Sequence, residues 1–249
     1  MPYVRPHFHS VFFGEKDLRD FEVHVSGDGS FNAPERDYEI VEVPGKSGDL
    51  FFDKGRFKNV DVTYHGFIAN DLERNLKGLR SYLLSQNGYK RLEDTYHPDE
   101  FRLAVFKGPI DPEIIRLKGG EFDLTFTCKP QRFLKLGEET TRYPYSESSY
   151  KVHNQTYNIA SPLIRVYGVG TFTISSPTKV YTVTVATHSG ISYIDIDCDL
   201  GDCFYNATNC NGYVTLSNNE FPKLVPGDNT VVVNSGVTRI EITPRWWDL

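Results

Sequence analysis

The sequence predicts a mainly β protein of two domains, with a single helix in the first domain. The chain of 249 residues contains 15 Tyr and 17 Phe but one Met, and aromatic side chains favour strands. Charge is unevenly distributed: residues 1–135 hold 20 Lys and Arg and 22 Asp and Glu, whereas residues 136–249 hold 7 and 11. The change falls in the polar stretch 137–144. We therefore predict one domain over 1–135 and a second over 136–249.

A single helix is predicted in the first domain. Asn70 and Glu73 have the spacing of a capping box, and Asn87-Gly88 can end a helix because both residues tolerate a left-handed backbone. The interval between them carries four leucines on one helical face: Leu72, Leu76, Leu79 and Leu83. This stripe predicts a helix over 71–86 that packs on the domain's own sheet rather than on a partner.

The rest of the first domain is predicted to be extended. Phe122, Leu124, Phe126 and Cys128 alternate with polar residues, which indicates a half-buried strand and places Cys128 as an inert thiol on its apolar face. The predicted strands cover residues 7–13, 21–25, 38–43, 60–67, 101–107 and 121–128.

The second domain is predicted to be an antiparallel β-sandwich without helices. Its candidate strands are short and β-branched, and Gly, Pro, Asn or Asp separates them. Tyr181, Val183 and Val185 alternate with threonines and should share one face. The predicted strands cover residues 163–167, 171–175, 180–187, 191–198, 212–216, 230–234 and 238–243.

The sequence Gly45-Lys46-Ser47 matches the end of a phosphate-binding loop. Such a loop needs a glycine five positions earlier, where this chain has Ile40, and it must run into a helix. Asp53-Lys54-Gly55 makes a helix start unfavourable. We therefore predict a turn between two extended segments, with no nucleotide bound.

Three aspartates form the strongest candidate for a metal or catalytic cluster. Asp195, Asp197 and Asp199 alternate with apolar residues, but a flat strand holds alternate side chains roughly 7 Å apart, too far to surround calcium. A solvated strand face is the better interpretation. His7-x-His9 lacks further ligands nearby. We expect no catalytic, metal or cofactor site, and no enzyme.

Cysteines and tryptophans leave alternatives open. Cys198, Cys203 and Cys210 are separated by four and six residues, which does not fit a zinc site; a disulfide among them is not favoured in a reducing compartment. Trp246 and Trp247 could stack on a sugar. The competing interpretation, which we favour, is that one caps the sandwich core and the other covers a domain contact.

Charge and hydropathy limit the partners. The formal net charge is −6, which disfavours nonspecific attraction to nucleic acid. No apolar run approaches the ~18 residues of a membrane span, and the N-terminus lacks the features of a signal peptide. We expect folding in a cytoplasm, without membrane insertion.

A series of short motifs spans nearly the whole chain, at residues 12–21, 36–49, 93–104, 122–130, 162–170, 194–197, 221–229 and 244–246. Each motif is weak alone. In this order and spacing, they resemble the distal tail protein family (also called phage tail component) of long-tailed bacteriophages that infect Gram-positive hosts.

The resemblance implies a fold and a structural role. It implies an N-terminal β-barrel-like domain, related to tail-tube subunits and carrying one helix, and a C-terminal galectin-like sandwich that is not usually a sugar binder. Six copies would form a homohexameric ring at the tail tip, the baseplate or adsorption apparatus of the virion. The ring would join the tail tube protein to a tail-associated lysin, tail fibre or receptor-binding protein and let DNA pass without specific binding. Assembly would take place in the cytoplasm of the host bacterium.

A second function of a different class stays open at this stage. The chain could be a glycan-binding adhesin that acts through the C-terminal sandwich and its tryptophans. Some relatives in the family carry inserted carbohydrate-binding modules, but 249 residues leave no room for one. Titration of residues 136–249 with host wall polysaccharide would separate the adhesin from the structural hub.

Overall fold

The structure is a computed structural model that describes residues 9–26, 31–116, 119–146 and 149–249. It divides into two compact units: unit 1 runs to Arg132 and includes Leu249, and unit 2 runs from Phe133 to Asp248. A boundary at 135/136 between two independently folding domains stays a prediction. Residues 7 and 8 of the first predicted strand lie outside the described residues.

The described residues of unit 1 form strands and one α-helix. Its helix is α1 (Leu72–Ser85), and the strands are β1 (Val11–Phe13), β2 (Lys16–Asp17), β3 (His24–Ser26), β4 (Arg36–Val41), β5 (Leu50–Phe57), β6 (Val60–Ile68), β7 (Lys90–Asp94), β8 (Glu100–Phe106), β9 (Glu113–Arg116) and β10 (Gly119–Leu134).

The main sheet of unit 1 is antiparallel, in the order β2-β1-β7-β8-β10-β6-β3, with β9 also paired to β10. Strand β10 follows the predicted alternation, since Phe122, Leu124, Phe126 and Cys128 are all buried. Helix α1 packs Leu76, Leu79 and Leu83 into the same core, and the Tyr82 hydroxyl donates a hydrogen bond to the Phe13 carbonyl (2.6 Å). The helix is therefore a packing element of this unit.

The start of α1 differs from the predicted capping box. The residue before the helix is Asp71, which has a left-handed backbone (φ 49°) and makes no side-chain capping bond. That conformation keeps position 71 out of the helix, so Asn70 cannot serve as its cap. The Asn75 amide side chain donates to the Asn70 carbonyl instead (3.1 Å). Leu76, Leu79 and Leu83 are buried as predicted, because burial of the stripe does not depend on the cap.

Unit 2 contains no α-helix among its described residues. Its strands are β11 (Thr141–Pro144), β12 (Tyr150–Asn154), β13 (Leu163–Gly168), β14 (Gly170–Ser175), β15 (Val180–Val185), β16 (Ile194–Asp197), β17 (Asp202–Tyr205), β18 (Thr208–Asn209), β19 (Val214–Leu216), β20 (Gly227–Val233), β21 (Val237–Thr243) and β22 (Trp247–Asp248).

Two antiparallel sheets form the sandwich of unit 2. Their orders are β11-β21-β13-β16-β17-β18 and β12-β20-β14-β15-β19. One core of buried apolar side chains lies between them, including Ile164, Phe172, Ile196 and Ile240. Together with unit 1, this confirms the mainly β class, the single helix and the antiparallel sandwich. The galectin-like relationship of unit 2 stays a prediction.

Several strands were not predicted, and β7 shows the reason. Its sequence is KRLED, and only Leu92 is fully buried. Arg91 forms an ion pair with Glu93, and its guanidinium lies 3.8 Å from the centre of the Phe101 ring. Strand β7 lies between β1 and β8, and these contacts stabilise its charged side chains there. Its sequence therefore lacks the alternation of apolar and polar residues from which a strand is predicted.

No helix in the described part of the chain has the length and apolar character needed to cross a membrane.

Candidate functional site

Strands β4 and β5 form a separate two-stranded sheet, hereafter the apolar hairpin, that exposes an unusual amount of apolar surface. Six of its large apolar side chains keep between 38% and 60% of their surface exposed. Contiguous exposed apolar surface of this kind marks interaction sites in soluble proteins. The six residues are Tyr38, Ile40, Val41, Leu50, Phe51 and Phe52.

Apolar side chains occupy both faces of the apolar hairpin. Ile40 lies opposite Phe51, and Val41 lies opposite Leu50. Because successive side chains of a strand point to opposite faces, these two pairs lie on different faces. On the first face Tyr38 meets Phe51 edge to face, with ring centres 5.8 Å apart. A ribbon that is apolar on both sides suits a position between two protein surfaces.

Ion pairs hold the base of the apolar hairpin together. The Arg36 guanidinium donates to Asp53 (2.7 Å) and the Arg56 guanidinium donates to Asp37 (2.7 Å). The hydrogen bond from Arg56 lowers the pKa of Asp37, and the hydrogen bond from Arg36 lowers the pKa of Asp53. Two strands alone are marginally stable in water, so these pairs help to keep the ribbon formed while its apolar faces lie in solvent.

The turn predicted at Gly45-Lys46-Ser47 joins the two strands of this hairpin. The Lys46 amide donates to the Val43 carbonyl (3.1 Å), and Gly45 and Gly48 have left-handed φ angles of 79° and 85°. Strand β5 follows at Leu50, in place of the helix that a phosphate-binding loop requires. The prediction of a turn between two extended segments is confirmed.

The prediction of a solvated aspartate face is wrong. Asp195 and Asp197 are 5% and 4% exposed, because arginines from neighbouring segments cover them. Arg165 donates to both carboxylate oxygens of Asp195 (2.7 and 2.9 Å), and Arg245 does the same for Asp197 (2.7 and 2.8 Å). Asp199 lies in the following turn and is exposed. Asp195 and Asp197 therefore form two separate structural ion pairs instead of a shared site.

The described residues contain no group of three or more His, Cys, Asp or Glu side chains that could hold a metal ion. His7 lies outside the described residues. The backbone of His9 forms an isolated antiparallel β-bridge with Val25. The His9 ring stacks on the Tyr96 ring with centres 3.7 Å apart, and its Nδ1 atom lies 3.1 Å from the Thr95 hydroxyl. These contacts give His9 a packing role.

The two tryptophans have different surroundings. Trp246 is 5% exposed and belongs to the core of unit 2, which confirms that one of the pair caps the sandwich. It borders a surface cavity of about 200 Å³ that Tyr143, Lys151 and His153 also line. Trp247 is half-buried against the same core and donates its indole N–H to the Ile159 carbonyl (3.0 Å). Because only 5% of its surface is exposed, Trp246 offers almost no open ring face on which a sugar could stack.

All four cysteines are buried free thiols. Burial raises the pKa of Cys128 and of Cys203 to about 12, and it raises the pKa of Cys198 as well. A thiol with so high a pKa is not ionised near neutral pH and is a poor nucleophile. The prediction that Cys128 is a buried thiol on the apolar face of its strand is confirmed.

The described residues thus form a curled antiparallel sheet with one helix, a β-sandwich, and an exposed apolar ribbon as the candidate interaction site. No model of a protein family and no curated protein matches the chain. Among solved structures, the chain is similar to the SPP1 Dit protein, described as a paradigm of the hub adsorption apparatus in phages infecting Gram-positive hosts. The TM-score is 0.73 at 12% identity, over 97% of this chain and 99% of the other. At this identity the likeness shows the fold, which agrees with the resemblance seen in the sequence.

The apolar hairpin itself was not singled out from the sequence. The available signal was the run Leu50-Phe51-Phe52 opposite Ile40-Val41. Consecutive apolar residues on both strands of a hairpin contradict the alternation expected when only one face is buried. A hairpin with this pattern is either buried on both faces or exposed to solvent on both faces.

Proposed function

We propose that this chain is a structural hub subunit of a phage tail tip, and that six copies form a ring through the N-terminal unit. The ring joins the tail tube to a tail-associated lysin, fibre or receptor-binding protein. The likeness to the SPP1 Dit fold over 97% of the chain supports the tail-tip role. The number six comes from the resemblance in the sequence.

The exposed apolar surface of the hairpin is the observation that supports assembly into a ring. A free subunit leaves both of its faces in water, whereas a closed ring can bury each face against a neighbouring copy or the tube. At about 25 cal/mol per Å² of apolar surface, burying even a few hundred Å² contributes several kcal/mol for each contact. The first 135 residues also carry 20 positive and 22 negative side chains, which suits polar contacts around this apolar centre.

The charge of the chain fits passage of DNA through the ring. Affinity for DNA backbone depends on Lys and Arg side chains that displace counterions from the phosphates. A subunit with a net charge of −6 supplies no net excess of cations. DNA is therefore expected to slide through the opening without being retained.

The test is electron microscopy of tail tips from co-expressed tail proteins, since the tube can serve as the template for the ring. We expect rings with six copies in the wild type. The double substitution Phe51→Ser and Phe52→Ser should abolish rings while the melting temperature changes little, because these side chains are exposed. The matched control is Tyr157→Ser with Leu200→Ser, two exposed apolar residues of unit 2, which should assemble normally.

Three outcomes contradict the proposal. The first is three or twelve copies per tail, and the second is a ring whose contacts involve only residues 136–249. The third is normal assembly of the Phe51 and Phe52 variant, which would remove the hairpin from the interface. Specific, saturable binding of host wall polysaccharide by the full chain, without any ring, would favour the adhesin instead.

A further inference from the structure

Cys203 and Cys210 are cross-strand neighbours at the edge of one sheet of unit 2. In the register of β17 and β18, Phe204 lies opposite Asn209. The next pair along the hairpin is therefore Cys203 and Cys210, and the Cys210 amide donates to the Cys203 carbonyl (2.7 Å). Residues directly opposite each other in an antiparallel pair share one face of the sheet. Here that face is the core of unit 2, where both cysteines are buried.

The spacing of this pair is close to that of a disulfide. In a hydrogen-bonded antiparallel pair the Cα atoms lie about 5.5 Å apart, and disulfides join Cα atoms that are roughly 4.4–6.8 Å apart. The Cβ atoms of opposite residues are about 4.5–5.5 Å apart, whereas a disulfide needs about 3.5–4.5 Å. Formation of the bond therefore draws the two residues together by about 1 Å.

The edge of the sheet can make this movement. Among the described residues β18 pairs only with β17, and Cys210 follows the last residue of β18. The Cys203 amide donates to the Asn211 side chain (2.7 Å), and the Cys210 carbonyl accepts from the Tyr213 amide (2.9 Å). The Cys210 thiol donates to the Thr208 carbonyl (3.5 Å), and a thiol is a weak donor. A disulfide thus replaces one weak hydrogen bond and leaves the bond between the two backbones in place.

The register distinguishes this pairing from the two others that the sequence leaves open. On the opposite side of β17, the residue facing Cys203 is Ile196 of β16. Cys198 is therefore a diagonal neighbour of Cys203, roughly 7–8 Å away, which is too far for a disulfide. Cys198 and Cys210 follow strands that have β17 between them, so they are separated by about two strand spacings, roughly 9 Å.

We infer that Cys203 and Cys210 form a modification site, a dithiol that closes to a disulfide by reaction with a small-molecule disulfide such as oxidised glutathione. One cysteine attacks the reagent, forms a mixed disulfide and releases one small thiol. The second cysteine attacks that mixed disulfide and releases the other small thiol. The two cysteines lose two electrons and two protons in total, and both are carried away by the two released thiols.

The state of this dithiol depends on its surroundings. Reduced glutathione in a cytoplasm keeps it open, and an oxidising medium closes it. A tail-tip subunit passes from the first condition to the second when particles leave the host; this consequence rests on the proposed function, whereas the dithiol does not. Burial raises the pKa of Cys203 to about 12, so the folded hairpin reacts slowly. The thiols become accessible when the edge of the sheet opens or the chain unfolds.

The experiment compares the folded full chain with the chain in urea. Reduced protein is diluted from urea into buffers of reduced and oxidised glutathione at pH 8, where it folds, and a reference sample stays in urea. After free thiols are blocked, chymotrypsin cuts after Leu200 and Phe204, which separates the three cysteines of unit 2 for mass spectrometry. We expect one disulfide in the folded chain, between Cys203 and Cys210. Its effective concentration should be at least about tenfold higher than in urea, because folding places the two residues opposite each other.

Three variants and controls sharpen the result. Cys198→Ala should form the same disulfide with the same effective concentration, whereas folded Cys210→Ala should form none. Cys128 lies in the core of unit 1 and should remain a thiol in every folded sample. The readout is the covalent state of the isolated chain, so it does not depend on whether a ring forms.

Two results contradict the inference, and both are read from the wild type even if Cys210→Ala fails to fold. The first is an effective concentration in the folded chain that is equal to or lower than that in urea, because the fold would then hold the two thiols apart. The second is a folded chain in which Cys198 is linked to either of the other two cysteines.

Discussion

Replacing Arg245 with Met tests the buried ion pair between Arg245 and Asp197. This ion pair is the reason why Asp197 does not lie on a solvated strand face, as the sequence had predicted. Arg245 donates from Nη1 and Nη2 to the two oxygens of Asp197 (2.7 and 2.8 Å), and the amides of Asp199 and Leu200 donate to Oδ1 at 3.0 and 3.1 Å. Burial raises the pKa of Asp197, but these hydrogen bonds outweigh burial, and the net pKa is lowered.

The magnitude follows from what remains after the substitution. Removing one partner of a buried ion pair costs about 3–5 kcal/mol. Two backbone donors still contact Asp197, and the Arg245 side chain is 30% exposed, so the loss should be about 2–3 kcal/mol at pH 7. Methionine keeps most of the apolar stem, so little of this loss reflects packing.

The pH dependence has a definite sign. In the wild type the folded pKa of Asp197 is depressed, so the stability it confers is complete above the unfolded value of about 3.9 and is lost as pH falls through the folded value. In the variant, burial without the guanidinium raises the folded pKa. Its penalty is therefore present at pH 7 and fades as pH falls toward 4. The difference in unfolding free energy between wild type and Arg245→Met should shrink over that interval.

The assay is urea denaturation at pH 7 and near pH 4.5. The control is Arg142→Met, because Arg142 is 76% exposed although it pairs with Glu241, and it should cost less than about 1 kcal/mol. Adding Asp197→Asn to Arg245→Met should restore part of the lost stability. A loss no larger than the control, or a difference that does not change with pH, would refute the reasoning.

Three further predictions concern packing and chemistry. Gly137→Ala should destabilise by about 2 kcal/mol or more in urea denaturation, since the added Cβ would lie 2.3 Å from the Trp246 backbone nitrogen; Gly212→Ala, with open space around it, should be nearly neutral. Leu76→Asp buries a charge and should cost several kcal/mol, whereas Leu84→Asp, at a 58% exposed position, should not; a soluble Leu76→Asp with unchanged melting would contradict the packing role of α1. A thiol reagent at pH 8 should leave all four buried cysteines unmodified until denaturant is added. Rapid labelling of the folded chain would show instead that at least one of these thiols is accessible.

The elements that were predicted correctly are those in which one face is apolar. Leu76, Leu79 and Leu83 lie in the core of unit 1 and Tyr181, Val183 and Val185 are buried in unit 2, because burial of one face imposes its period on the sequence. This period is a local property of the chain. It can be detected without knowing what packs against it.

The features that were missed depend on partners distant in sequence. Asp197 looks like a solvated residue until Arg245, 48 positions away, covers it, and KRLED of β7 looks like a loop until Phe101 packs against Arg91. The spacing of apolar residues along the chain identifies neither Arg245 nor Phe101 as a partner. The apolar hairpin differs again, since its apolar residues face solvent in the single chain, and the role proposed for them depends on a surface outside the chain.

The distribution of charge within the apolar hairpin opposes growth of the chain into cross-β fibrils. Within the described part of the chain, each of its strands pairs only with the other, so one edge of each can accept a further strand. Fibril-forming segments need about six consecutive residues of low charge, but here the longest apolar runs are Leu50-Phe51-Phe52 and Ile40-Val41. Glu39, Glu42 and the pair Asp53-Lys54 interrupt them, and such charges act as gatekeepers. The ribbon is therefore apolar enough to be buried by a folded partner, yet a disordered or identical strand gains too little by adding to its edge.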